Sequence, residues 1–419
     1  MATAGGLHDI GYDDLYRRWE RGNWSATAID FDVDREQWRT ELTDVERRAA
    51  LWNFAMFFHG EDSVAGGLSP YIHAAPREEQ KYFLATQQVD EARHAVFFGR
   101  FLRDVMDRGD GYEGSLAATR DQLTWGFRHV FERLERMGEE LRRDPSPAML
   151  ARGIVLYHVV IEGALAQPGQ HLIERWLEDR GVLPGFLSGI RNVALDEQRH
   201  IGFGVKLLSE LIADPECRAA ALEMLAEVLR FSAAVFVPPG WDRSYVEPFG
   251  FTLEEIYAEG DRSITTKLRS AGFTDEEIGR TIGIHLDRAP EERARGLVAL
   301  LEAGVIGEKT GPPRADPEVV RLLFDGMEVA FDPDKAPWRP YTIEWDFKDV
   351  GPWHIVFDDG ATRAQPGRAA RADLGFRCTF EDWVDVAAGR IDPTLAMARG
   401  RIRPSGLRAL WRSRQLLAG

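Results

Sequence analysis

The chain has 419 residues, 44% of them hydrophobic, and a formal net charge of −16, which provides for two or three folded domains and argues against a nucleic-acid-binding surface. Two cysteines, Cys217 and Cys378, stand far apart without paired spacing, so neither a disulfide framework nor a thiolate metal site is expected and the compartment is expected to be reducing. Met1 to Gly6 have neither a basic start nor an apolar stretch, no basic amphipathic helix stands out, and no uninterrupted apolar run approaches membrane length; a cytoplasmic protein without stable membrane insertion is expected.

In chain order, residues 9–42 read as an entry arm: a short helix around Asp13 to Arg21, an extended Ala26 to Phe31 and a second short helix from Asp34, all expected to serve packing. Thr43 with Glu46 forms a capping-box pattern that opens a helix in which Leu51, Phe54, Phe58, Glu61 and Ala65 share a face. Gly66, Gly67 and Pro70 loosen or end it. From Arg77 to about Arg108 a second long helix sets Phe83, Gln87, Glu91, His94, Phe98 and Phe101 on one stripe. Gly109-Asp110-Gly111 makes a turn, and another helix spans Ser115 to Arg142. Pro145 and Pro147 sit at the start of a helix that runs through Val155, His158, Glu162 and Leu165 to about Leu177, and Pro168 should kink it. After a turn at Gly181 to Pro184, a helix to about Ile212 aligns Ile190, Val193, Glu197, His200, Gly204 and Leu207. A helix over Glu216 to Phe236 follows, Pro238-Pro239-Gly240 ends the bundle, and Phe251 to Ala271 and Asp275 to Ile284 add peripheral helices.

Past the Gly-, Pro- and charge-rich stretch from Gly304 to Pro317 the periodicity changes. Strands are predicted at Tyr341 to Phe347, Trp353 to Phe357 and Leu374 to Phe380, a helix at Glu381 to Ala388, a further strand at Ala396 to Ile402 and a closing helix at Leu407 to Leu417. The expected fold is mainly α: a helical bundle over residues 1–285, a linker region over 286–315 and a smaller α+β domain over 316–419.

Two stretches carry the chemistry, Asp90-Glu91-Ala92-Arg93-His94 and Asp196-Glu197-Gln198-Arg199-His200. Each sets a Glu and a His three residues apart on an otherwise apolar helical face, and Glu61 and Glu162 occupy such faces alone. Four inward carboxylates would repel one another unless cations stood between them, and two divalent metals supply the four positive charges needed. One Glu from each of two helices plus Glu-x-x-His from each of two others is the ligand pattern of dimetal carboxylate bundles, and oxygen and imidazole donors suit iron or manganese. Asp90 and Asp196 are candidates to orient the ligand histidines through their second ring nitrogen, with Arg93 and Arg199 neutralising them.

On these residues the chain resembles the ferritin-like dimetal-carboxylate oxidases over about residues 10 to 270: the ribonucleotide reductase small subunit, the multicomponent monooxygenase hydroxylases and the ligand-binding oxidases related to the reductase subunit. The resemblance implies metal ligands at Glu61, Glu91, His94, Glu162, Glu197 and His200. It departs from the reductase subunit at Phe98, where that subunit usually has its radical-forming tyrosine, and in continuing into another domain, so nucleotide reduction is not expected. Arylamine N-oxygenases add a ligand His where this chain has Val193. The ligand-binding oxidases are similar in their first ligand Glu, in a valine three residues after it, here Val64, in a tyrosine five residues before the third Glu, here Tyr157, and in the entry segment from Trp24 to Trp38. That group implies an Fe/Fe or Mn/Fe site, a long-chain fatty acid in the cavity and a tyrosine–valine crosslink joining Tyr157 to Val64.

Residues 316–419 resemble a sterol carrier protein type 2 domain in Phe380-Glu381-Asp382-Trp383, Ala388-Gly389, Asp392-Pro393 and Gly400-Arg401-Ile402. This implies a curved sheet under helices, with an apolar tunnel for an acyl chain or sterol; a dimerisation or capping domain without a ligand is the other reading. The expected function is a dioxygen-activating dimetal oxidoreductase that oxidises a C–H bond of an apolar, lipid-like substrate such as a fatty acid, as a homodimer. A reductase or ferredoxin is implied where the cycle needs external electrons. The alternatives are a multicomponent-type diiron monooxygenase hydroxylase needing a reductase and a non-catalytic lipid-binding metal protein.

Overall fold

The computed structural model describes residues 10–358 and 360–417; Met1 to Gly6, on which the expectation of no leader rests, lie outside the described residues. The chain divides into two compact units, Met1–Phe273 and Thr274–Gly419.

The first unit opens with α1 (Tyr12–Arg21) and α2 (Asp32–Thr40). The expected capping box starts α3 (Asp44–Gly67): Glu46 N–H donates to Thr43 Oγ1 at 3.2 Å while Thr43 N–H donates to Glu46 Oε2 at 2.8 Å. After the short α4 (Ser69–Ala74), α5 (Glu78–Asp104) packs along α3. The single helix expected over Ser115 to Arg142 is two, α6 (Gly111–Thr119) and α7 (Trp125–Arg143), parted by a 3-10 turn at Arg120–Gln122. The break falls where Thr124 caps α7 by accepting Phe127 N–H at 3.1 Å.

The next helix spans Pro147–Arg180 in three parts: α8 (Pro147–Ile154), a π-helical stretch over Val155–Ala166, and α9 (Gln167–Arg180). The irregularity expected at Pro168 thus takes the form of a widened helix ahead of the proline, which suits a residue that has no N–H to donate and whose ring crowds the preceding turn. By length and composition this helix could cross a membrane, though Arg152 and Glu162 interrupt its apolar run, and 78% of its apolar window is buried inside the protein. α10 (Pro184–Leu211) packs against both the π-helical stretch and α5. Two glycines permit the approach: a Cβ on Gly189 would lie 2.0 Å from Phe97, and one on Gly204 would lie 2.2 Å from His158 Cβ. α11 (Pro215–Ser232) and α12 (Leu253–Ala271) cover the π-helical stretch from outside.

The second unit begins earlier than the linker expectation placed it. α13 (Asp275–Ile282) belongs to it, and residues 286–315 contain α14 (Pro290–Glu302), whose Ala294, Val298 and Leu301 are buried. α15 (Pro317–Ala330) leads into a sheet of strand order β3-β2-β1-β4-β5. Here β1 (Tyr341–Phe347) runs antiparallel to β2 (Gly351–Asp358) and parallel to β4 (Leu374–Cys378), and β3 (Ala361–Pro366) lies antiparallel on β2. β3, Ala-Thr-Arg-Ala-Gln-Pro, is an edge strand with little to bury and so has no apolar alternation to mark it in the sequence. The strand expected at Ala396 to Ile402 is instead α17 (Pro393–Ala398), following α16 (Phe380–Ala387); β5 is only Arg403–Pro404, and the closing helix is broken into α18 (Leu407–Arg412) and α19 (Arg414–Leu417). The core is aromatic, with Phe324, Tyr341, Trp345 and Phe357 at 0% exposure.

Candidate metal centre

Glu61 on α3, Glu91 and His94 on α5, Glu162 on the π-helical stretch, and Glu197 and His200 on α10 converge between the four helices, none more than 6% exposed. Their donor atoms form two overlapping groups, Glu61-Glu91-His94-Glu197 and Glu91-Glu162-Glu197-His200, with the atoms of each within 4.8 Å of one another. Glu91 and Glu197 belong to both. His94 Nδ1 lies 3.3 Å from Glu61 and 3.4 Å from Glu91, and His200 Nδ1 lies 3.2 Å from Glu91 and 3.5 Å from Glu162.

Both histidines turn Nδ1 inward because Nε2 is engaged outward, and the engagement is crossed. His94 Nε2 donates to Asp196 at 3.1 Å, and His200 Nε2 donates to Asp90 at 3.2 Å, so each motif's aspartate orients the other motif's histidine. Arg93 lies 3.1 Å from Asp90 and 3.5 Å from Asp196, and Arg199 pairs with both. The entry arm, expected to serve packing alone, also supplies two donors: Trp19 Nε1 to Asp90 at 2.9 Å and Trp24 Nε1 to Asp196 at 2.8 Å. Trp24 opens the entry segment that resembles the ligand-binding oxidases, but nothing in the sequence marks either tryptophan as a partner of these aspartates.

Gln87, noted in the sequence only as part of an apolar stripe, is a second junction. Its amide donates to Glu162 Oε1 at 2.7 Å and to Tyr157 at 3.1 Å, and its carbonyl oxygen accepts from His158 Nε2 at 3.1 Å. Burial pushes His158 down to about 3, so it is a neutral ring and not a cation in the core. Tyr157 Oη donates to Glu91 Oε1 at 2.7 Å. Tyr157 and Glu162 are five residues apart, a spacing that diverges on an α-helix but converges where backbone hydrogen bonds run from i to i+5.

Without cations the cluster cannot carry all its charges. Burial, then the neighbouring acids, push Glu61 up to about 8 and hold Glu162 well above the ordinary carboxylate range and Glu197 above it. Burial acts on Glu91 in the same direction, but the two flanking imidazoles outweigh it and hold Glu91 low. Glu162 Oε2, Glu197 Oε2 and His200 Nδ1 are buried without a hydrogen-bond partner. Buried oxygen and nitrogen donors left without partners within one ligand cluster fit a pair of divalent cations.

One side of the cluster opens on a cavity of about 70 Å³ whose floor is Glu61, Glu91, Glu162 and Glu197 and whose walls include Phe57, Val64, Phe127, Phe131, Leu165 and Phe236. Val64 is 5% exposed and Tyr157 1%; Tyr157 approaches the cluster from the Glu91 side. Phe98 stacks on Phe57 with centroids 5.5 Å apart.

Residues 7–231 match the family model of the ribonucleotide reductase small chain, and residues 332–410 match that of the SCP-2 sterol transfer family. Among solved structures, an R2-like ligand-binding oxidase from Sulfolobus acidocaldarius is 24% identical with a TM-score of 0.54, over 70% of this chain and 95% of that one. Two variants of R2-like ligand-binding oxidases also match with a TM-score of 0.54. One, with an anaerobically reconstituted Mn/Fe cofactor, is 24% identical over 62% of this chain and 93% of that chain. The other, with an aerobically reconstituted Mn/Fe cofactor, is 22% identical over 64% and 99%. At these identities the likeness is one of fold.

Proposed function

Because the chain belongs to the ribonucleotide reductase small-chain family, we propose that it is a dimetal oxidase that uses dioxygen to oxidise a C–H bond of an apolar, lipid-like molecule. The observation that carries this reading is the sharing of Glu91 and Glu197 by both ligand groups, the arrangement a carboxylate-bridged pair of ions requires. Glu61 and His94 would hold one ion, Glu162 and His200 the other, with Glu91 and Glu197 between them. The bound pair, Fe/Fe or Mn/Fe, would supply the electrons that reduce dioxygen.

The protein's own part is geometric. Asp90 and Asp196 keep Nδ1 of each histidine free for the metal by accepting the Nε2 proton. Gln87 holds Glu162 Oε1, the oxygen 3.5 Å from His200 Nδ1, while Oε2 stays without a hydrogen-bond partner. The phenylalanine walls exclude water and admit an alkyl chain to a floor of carboxylates. The match of residues 332–410 to a sterol transfer family supports a lipid-like substrate. Insertion of oxygen into such a substrate takes two electrons from outside, hence a reductase or ferredoxin partner. When no substrate is present, Val64, on the cavity wall, and Tyr157, hydrogen-bonded to Glu91, are the groups proposed to react with each other. The Tyr157 Oη–H and Val64 Cβ–H bonds break, an ether bond forms, and two electrons and two protons pass to dioxygen.

Anaerobic loading with Fe(II) and Mn(II), followed by dioxygen exposure, tests the reading through metal content, dioxygen uptake and mass spectrometry of extracted lipid and peptides. Two ions per chain, consumption of dioxygen and either an oxidised lipid or a joined pair of peptides containing Val64 and Tyr157 are expected. Full metal occupancy without dioxygen consumption would overturn it.

A further inference from the structure

The π-helical stretch that presents Tyr157 and Glu162 ends at a proline, and this leaves a backbone acceptor to be satisfied. Gln167 N–H donates to the carbonyl of Glu162, five residues back. The next donor in that series would be residue 168, pairing with the carbonyl of Gly163, but Pro168 has no N–H. That carbonyl is instead met from α12: Lys267 Nζ donates to it at 3.2 Å and Ser263 Oγ also donates to it. Lys267 Nζ donates further to Gln167 Oε1 at 2.7 Å and to Ser263 Oγ, so its three protons bridge both sides of the missing bond. The fit is close. A Cβ on Gly163 would lie 2.5 Å from Lys267 Cδ and 2.8 Å from Cε, so only glycine admits the lysine stem here. Lys267 is 5% exposed, an expensive place for an ammonium group.

We propose that Lys267 is a positioning residue of the metal centre: its ammonium replaces the N–H absent at Pro168 and so holds the π-helical turn that aims Glu162 and Tyr157 at the cluster. The role in metal binding rests on the dimetal reading above; the hold on the backbone does not.

Two measurements on the metal-free full-length protein separate these parts. Amide hydrogen exchange over residues 155–166 should accelerate at least tenfold in Lys267→Met while α3 and α5 are unchanged. Titration with Mn(II), followed by the free-ion paramagnetic resonance signal, should show one of two sites weakened at least tenfold and the other unchanged. Adding Pro168→Ala to Lys267→Met restores a backbone donor and should return both readouts to within threefold of wild type, which loss of general packing would not allow. Lys267→Arg, which retains donors, should stay close to wild type. Unchanged exchange in Lys267→Met, or a double variant no better than the single, would overturn the proposal. If Lys267→Met does not fold, Ser263→Ala should show a smaller acceleration over the same residues, and none would overturn it. If wild type binds no Mn(II), the dimetal reading fails, and the exchange data alone decide whether Lys267 holds the turn.

Discussion

Asp90 stands next to Glu91 in sequence, yet its carboxylate accepts from His200 on the opposite helix, while Asp196 serves His94. The crossing ties the two halves of the centre together, since loss of one aspartate affects the ion held by the other motif's histidine. Asp90→Asn removes the charge that His200, Trp19 and Arg199 share. It should weaken the ion held by His200 by roughly 10- to 100-fold and spare the ion held by His94; a competition titration that resolves two affinities would show it, and equal weakening of both sites would contradict the crossed assignment. Glu91, common to both ligand groups, is the more severe loss. In Glu91→Ala metal content should drop to one ion per chain or fewer with the far-ultraviolet circular dichroism of the bundle retained, and two ions per chain would refute the ligand set.

At the scale of elements, the centre depends on one irregular helix more than on the three regular ones. α3, α5 and α10 place their inward Glu and His by ordinary helical periodicity, whereas Tyr157 and Glu162 converge only because Val155–Ala166 is π-helical. The lysine that meets this stretch has a measurable cost. Burial lowers Lys267 to about 8 in the folded chain, against about 10.4 for an ordinary lysine. Between those two values the unfolded chain binds more protons than the folded one, so stability rises with pH across that window, and below it the full penalty, on the order of 3 kcal/mol, is present. Lys267→Met has no such group. Urea unfolding of both proteins from pH 7.5 to 10 should therefore give a wild-type stability that gains on the variant as pH rises, by about 2 kcal/mol; parallel profiles would show that the lysine binds its proton equally well folded and unfolded, with no cost of burial.

At the scale of the whole molecule, the two units carry separate apolar interiors, a walled cavity of about 70 Å³ in the first and an aromatic core around Phe324, Trp345 and Trp383 in the second. If the second unit binds lipid as its match to the sterol transfer family suggests, the full chain should bind a fluorescent fatty acid with more equivalents than residues 1–273 do. Equal stoichiometry would leave the second unit a structural role. On α5, Tyr82, Val89 and Val96 recur every seven residues on the outer face at 59%, 52% and 40% exposure, a stripe suited to a matching helix of a second copy. Light scattering should report a dimer for the wild type and a monomer for Val89→Asp; a monomeric wild type would remove the homodimer.

Periodicity and residue type suffice to read six inward Glu and His side chains from this chain, because packing in a helical bundle turns the face that recurs every 3.6 residues toward the core. The capping box at Thr43 and the change of character past Gly304 are legible for the same reason: each is a local property of the chain. What pairs across helices is not. The exchange of Asp90 and Asp196 between histidines, the two tryptophans of the entry arm and the junction at Gln87 depend on which faces meet, and adjacency in sequence favours the wrong partner. The π-helical stretch and its lysine were beyond sequence reading too. A proline announces that a backbone bond is missing, but only the packed neighbour, α12, decides where the freed carbonyl finds its donor.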